Sequence, residues 1–224
     1  MRAEAKNRQP HQSCRANARK VRPSIGRTPQ GPRYGAHFPC CTEFLNAPHA
    51  SQRASHEIDR LLEAAKEGRH GARDYALLLL MYRHGLRASE AVGLKLDNVN
   101  LKEARLWVNR VKNSLSTEHP IKGDELRAIK RYLAGREDKL PWLFVSERGV
   151  QLVPRALNHM IAAAGLRAGL GHVHPHMLRH ACGFTLANRG TDFRAIQDYL
   201  GHRDPRHTTR YTRTSALRFE GLWD

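Results

Sequence analysis

Between His174 and Tyr211 the chain reads HPHMLRHACGFTLANRGTDFRAIQDYLGHRDPRHTTRY, a short run that brings Arg179, His176, His202 and Tyr211 within reach of one another. A guanidinium is a permanent cation whose planar fork gives two hydrogen bonds to an oxyanion. Imidazole carries protons near neutral pH, and a phenol oxygen can serve as a nucleophile. His176 and Arg179 lie three residues apart, which sets them side by side on one face of a helix. Gly190 ends that helix. Asp192 is placed to cap a second, Phe193 to Leu200, which Gly201 ends before the chain reaches His202. Asp204 and Pro205 supply a cap and a first-turn proline for a third helix running through Tyr211. Three short helices thus present four reactive side chains.

Charge narrows the target of such chemistry. The 224 residues include 38 Lys and Arg against 21 Asp and Glu, a formal charge of +17, with a pI near 10.5. A field of that size attracts polyanions more than it stabilises a fold, so nucleic acid is the natural partner; basicity that serves only solubility is the plainer alternative. A chain of 25.5 kDa is long enough for one domain with a full core, or one domain plus an appendage, and one catalytic domain is expected. The cysteines at 14, 40, 41 and 182 have no metal-ligand spacing, and Cys182, inside an apolar helical run, is expected to pack as a small hydrophobe. That usage fits a reduced cytoplasm. His172, His174 and His176 alternate, but Pro175 intervenes and no fourth ligand stands nearby, so no metal or cofactor is expected. No apolar run is long enough to span a bilayer, and the basic N-terminus lacks the apolar core of a secretion signal, so membrane partners are not expected.

The elements that must position the site begin past residue 50. Residues 1 to 50 carry nine Lys and Arg against Glu4 and Glu43, with prolines at 10, 23, 29, 32, 39 and 48. So little apolar surface cannot offset the entropy of ordering the chain, which makes this segment a disordered basic arm or a start placed too far upstream. Residues 51 to 224 form the second division. Ile58, Leu61, Leu62 and Ala65 follow the spacing of an amphipathic helix with Ser55 as cap and Gly68 as stop. Ala72 to His84, with YALLLLMY at its centre, is a buried helix that ends at Gly85. Next, GLRASEAVGL sets Arg87 and Glu90 three apart at a helix start, a spacing that by itself fits a surface ion pair. Arg105 to Val111 and Thr117 to Ile121, around the turn-rich Asn113 to Ser116, form a hairpin with Lys112 at its rim. Asp124 to Ala134 and Pro154 to Ala168 are further amphipathic helices, joined through a short LFV strand. The expected fold is mainly α with a small antiparallel β-sheet.

HPHMLRHACG followed by LGHRDPRHTTRYT resembles the C-terminal motif pair of the tyrosine recombinases, enzymes that cut and rejoin DNA through a phosphotyrosine. GLRASE resembles their first arginine motif, and RVKNSLSTEHPI the hairpin on which they carry a lysine. The similarity runs from about Ala54 to Trp223. Within the family it most resembles the short invertases that flip fimbrial promoter segments. These lack the helical N-terminal domain of other members, and the arm here is too short and proline-rich to be one.

The resemblance implies a tyrosine recombinase catalytic domain and six site positions, Arg87, Lys112, His176, Arg179, His202 and Tyr211, with Glu90 as a supporting carboxylate. Attack on a phosphodiester gathers charge on its equatorial oxygens, so fixed cations must face them, and Arg87 and Arg179 fit that task. The Tyr211 phenol starts with a pKa of about 10, so a base or a positive field must help it ionise. His176 accepts that proton or hydrogen-bonds the phosphate, and His202 gives a second hydrogen bond. Lys112 protonates the departing 5′-oxygen. His180 is expected to support these groups from behind or to pack, and Tyr199 and Tyr132 to be core or surface filler. A covalent 3′-phosphotyrosine keeps the energy of the broken bond, so neither ATP nor metal is needed.

The implied partners are double-stranded DNA at paired recombination sites, a homo-tetramer assembled on that DNA, and DNA-bending accessory proteins. Leu217, Phe219, Leu222 and Trp223 would dock on a neighbouring protomer or pack on their own domain. The implied function is site-specific recombination that inverts a promoter-bearing segment, as in fimbrial phase variation. Integration of a mobile element and a non-catalytic DNA-binding relic are the alternatives.

Overall fold

The computed structural model describes residues 50 to 111 and 114 to 213. All belong to one compact unit, Tyr34–Asp224. The expected basic arm, Lys112 and the segment from Ser215 to Trp223 lie outside the described residues.

Eight helices are described: α1 (Ala50–Lys66), α2 (Gly71–His84), α3 (Ala88–Val92), α4 (Gly123–Ala134), α5 (Pro154–Arg167), α6 (Pro175–Asn188), α7 (Phe193–Leu200) and α8 (Arg206–Thr212). Strands β1 (Val99–Asn100), β2 (Arg105–Val108) and β3 (Thr117–Pro120) form one antiparallel sheet in that order. The α+β expectation therefore holds, with a mostly helical body.

The core is built around α2. Ala76 to Met81 are consecutively buried, each at 2 % exposure or less, because α1, α4 and α6 pack around this helix. A helix apolar on all sides has no other stable place. Each fully buried leucine there contributes about 1.5–3 kcal/mol. The chain leaves α2 through Gly85 in the left-handed conformation (φ 57°), where a Cβ would also meet Leu200 Cδ2 at 2.4 Å. Glycine is required twice over, once for the backbone and once for the space. On α1 the buried residues Ile58, Leu61, Leu62 and Ala65 are those of the sequence pattern, though the helix starts at Ala50 rather than Ser55. No glycine or proline separates the two positions, so nothing stops the helix from extending back.

The sheet keeps the hairpin and adds to it. Leu106 pairs with His119 and Val108 with Thr117, which turns Leu106, Val108 and His119 inward. β1 pairs Val99 with Leu106 and is too short to announce itself in sequence. The LFV segment is not a ladder strand. Only isolated bridges form there, Lys95 with Trp142 just before it and its own Val145 with Gln151, while Leu143 and Phe144 fill the core.

Candidate active site

The end of α2 delivers Arg87, and its setting is fixed by one buried carboxylate. Glu90, at the first turn of α3, accepts from the Arg87 backbone N–H at 2.9 Å and pairs with the Arg87 guanidinium at 2.5 Å. It also pairs with Arg110 at 2.8 Å and accepts from the Val111 N–H at 3.4 Å. Burial pushes the Glu90 carboxyl up, but Arg110 and Arg87 outweigh it and hold the group below its ordinary range. What resembled a surface pair is an anchor joining Arg87 to the strand that leads to Lys112.

Arg110 is a residue the sequence did not single out. Its side chain is fully buried and donates to the carbonyls of His84 (3.0 Å), Gly85 (3.2 Å) and Tyr199 (2.5 Å). Arg179 is 5 % exposed and donates to the carbonyls of Gly85 and, at 2.6 Å, Leu200. These carbonyls close the C-terminal ends of α2 and α7, where backbone acceptors lack helical partners and the helix dipole favours a cation. Burial, with Arg87 and Arg110 nearby, draws the Arg179 guanidinium down to about 10, which still leaves it charged at neutral pH. Arg179 and Arg110 thus form a cationic floor that spans two helix ends.

The remaining groups come from α6 to α8; the α7 cap and the glycine stops are those expected, whereas α8 starts one residue later, with Pro205 rather than Asp204 at its N-cap. Asp192 accepts from the N–H groups of Arg194 (2.8 Å) and Ala195 (3.0 Å); Gly190 and Gly201 are left-handed; Asp204 accepts from the Arg206 N–H at 2.9 Å. His202 is half-buried, and its Nδ1 lies 2.8 Å from Thr208 Oγ1. Burial, then Arg179, His207, Arg87 and Arg110, depress its imidazole to about 3, so it is neutral at physiological pH. Arg87, Ser114, His202, Arg203, Asp204, Pro205 and His207 line an open cleft of about 470 Å³.

Tyr211 sits behind that cleft at 1 % exposure. Its ring is stacked on His202 (centroids 6.2 Å, 16°) and meets Phe184 edge-on at 5.0 Å. Gly183 makes the seat, since a Cβ there would lie 2.7 Å from the tyrosine ring. The phenol oxygen lies 2.9 Å from Nδ1 of His180, the residue expected either to support the site groups or to pack. His176 is exposed on the first turn of α6, one turn from His180. The structure therefore brings Arg87, Arg179, His202 and Tyr211 together, leaves His176 at the rim, and adds Arg110, His180 and Gly183. Cys182 packs as expected; burial lifts its thiol to about 12 and its Sγ lies 3.5 Å from the Arg83 carbonyl. Tyr199 is more than filler, donating to the Arg83 carbonyl at 3.0 Å while stacked on His119.

Among the described residues no three His, Cys, Asp or Glu side chains converge on a metal-sized site. His172 and His174 rings stand 6.5 Å apart, and His174 and His176 rings 6.3 Å. No helix of the described residues is long and apolar enough to cross a membrane.

A family model described as the phage integrase family matches residues 54–218. The chain belongs to that family, the tyrosine recombinases. The recombinase is 47 % identical over 174 residues to the type 1 fimbriae regulatory protein FimE of Escherichia coli K12, covering 75 % of this chain and 88 % of that one. It is 35 % identical over 189 residues to the tyrosine recombinase XerC of Pseudomonas aeruginosa, covering 80 % of this chain and 62 % of that one. Among solved structures, the XerA recombinase matches with a TM-score of 0.65 at 30 % identity, over 74 % of this chain and 59 % of that one. The chemistry of the recombinase is accordingly tyrosine-type site-specific recombination.

Proposed function

We propose that this recombinase binds duplex DNA at paired sites and inverts the promoter-bearing segment between them, using Tyr211 as its nucleophile. The observation that carries the residue assignment is the placing of Tyr211 against His202, whose cleft Arg87 shares, above the cationic floor of Arg179 and Arg110. Arg87 and Arg179 neutralise the phosphate oxygens as charge builds on them. A Thr208 hydroxyl donating to Nδ1 of His202 leaves the proton on Nε2, the form that gives a hydrogen bond to phosphate. His176, at the rim, gives another. Lys112 protonates the departing 5′-oxygen, a role that rests on the family resemblance of its hairpin. The similarity to FimE supports inversion of a fimbrial promoter, since turning a promoter round is how a recombinase can regulate a gene. Four protomers assembled on two sites, with the segment around Trp223 docking between them and DNA-bending proteins assisting, complete the reading. Its place of action would be the cytoplasm, where the chromosome lies.

The test is covalent trapping. A nicked duplex carrying the inverted repeats that border the promoter beside the gene should capture a protein–DNA adduct without divalent metal. Tyr211→Phe should fold and bind DNA but form no adduct. Arg179→Ala should bind and cut about 100- to 1000-fold more slowly. An adduct with Tyr211→Phe would move the nucleophile to another residue; no adduct with the unaltered protein would favour the relic.

A further inference from the structure

We propose that His180 is the proton acceptor for Tyr211: its Nδ1 holds the phenol, and takes the proton as the oxygen attacks phosphorus. This rests on Tyr211 being the nucleophile. Nothing in the fold requires an imidazole at position 180 for packing alone. Position 180 is half-buried on α6, where an apolar side chain would be accepted, yet the residue there presents a ring nitrogen 2.9 Å from the Tyr211 phenol oxygen. The ring it serves is held on three sides, by Gly183, Phe184 and His202, so the phenol has a single orientation. A base must lie within about 2.6–3.2 Å of the proton's parent atom, and His180 meets that condition.

The charge around His180 suits the role. The charged and titratable groups that face it are Arg210 from α8, His176 and Arg179 from its own helix, and His174 at that helix's N-cap. Burial first, then these groups, lower the imidazole to about 4, so at neutral pH it is in the unprotonated form that can accept. A scissile phosphate brought against Arg179 offsets the guanidinium charge and raises the imidazole toward working pH, so the base strengthens when substrate is present. The step balances simply. The phenol O–H breaks and its proton passes to Nδ1; the O–P bond forms; the P–O5′ bond breaks and the leaving oxygen takes its proton from a separate acid. In the reverse direction His180 returns the proton to the departing phenol.

The measurement is the single-turnover rate of adduct formation on the nicked duplex described above, from pH 5 to 9, with DNA binding and thermal unfolding recorded for each variant. His180→Asn keeps a hydrogen-bonding amide near the Nδ1 position but cannot take a proton; it should bind normally and cut at least about 100-fold more slowly, with a rate that keeps climbing with pH as hydroxide substitutes for the base. A 5′-thiolate leaving group, which needs no acid, should not rescue it. His180→Ala serves as a second variant, with the same expected loss. Wild-type rate and pH profile in His180→Asn would overturn the proposal, as would rescue by the thiolate. Faster adduct formation in His180→Ala would also overturn it, making His180 a latch that stows the tyrosine. An adduct from Tyr211→Phe would instead bring down the nucleophile assignment, and this proposal with it.

Discussion

Gly183 shows how much of the site rests on an absent side chain. A glycine in the middle of α6 costs about 1 kcal/mol relative to alanine, so replacing it should help the helix if nothing stood against it. Here a Cβ would lie 2.7 Å from two carbons of the Tyr211 ring. Gly183→Ala should therefore leave DNA binding and thermal stability near those of the parent while lowering the adduct rate by about 100-fold, because a displacement of the order of 1 Å at a reacting atom costs that much. Unchanged cutting would mean the ring has room to spare. Much at this scale was legible. Arg87, Arg179, His202 and Tyr211 stood out by type and spacing, and the fold gathers them. His180 and Arg110 did not, because a histidine beside an arginine and an arginine just past a strand gain meaning only from partners far along the chain. Gly183 does carry a visible signal, a lone glycine within a helical pattern, which marks a close approach by a neighbour.

Between the elements that carry the site, buried ion pairs and charged hydrogen bonds add to the apolar core. Arg110 joins the end of β2 to the closing carbonyls of α2 and to the last turn of α7, and Glu90 ties the same strand to α3. Removing the guanidinium leaves buried carbonyls without a donor. Arg110→Ala should thus cost about 3–5 kcal/mol, read as a fall in urea midpoint with little change in slope. A loss below about 1 kcal/mol would mean that water replaces the guanidinium. The helix boundaries that frame this arrangement were readable because caps are local chemistry: Asp192 and the left-handed Gly85, Gly190 and Gly201 act within a few residues of themselves. The strand β1 and the bridges of the LFV segment were not, since a two-residue pairing depends wholly on the neighbour it finds.

For the molecule as a whole, charge governs the encounter with DNA. Log affinity for the duplex should fall linearly with log salt, with a slope near −0.9 for each phosphate neutralised. Residues 1 to 50 hold nine of the basic residues against two acidic ones, so a chain lacking them should show a shallower slope if that segment touches the backbone. An identical slope would assign the whole grip to residues 51 to 224. The cationic floor has a further consequence, one of timing. Arg110 must wait for a carbonyl 89 residues ahead of it, and Arg179 bonds one residue 94 behind and another 21 ahead. As the ribosome issues the chain from its N-terminus, neither guanidinium can lock until Leu200 has emerged, and Tyr211 follows soon after. A chain halted before Leu200 holds no set clamp and lacks the proposed nucleophile. On that reading the capacity to cut DNA arrives only after the scaffold that holds it has been made.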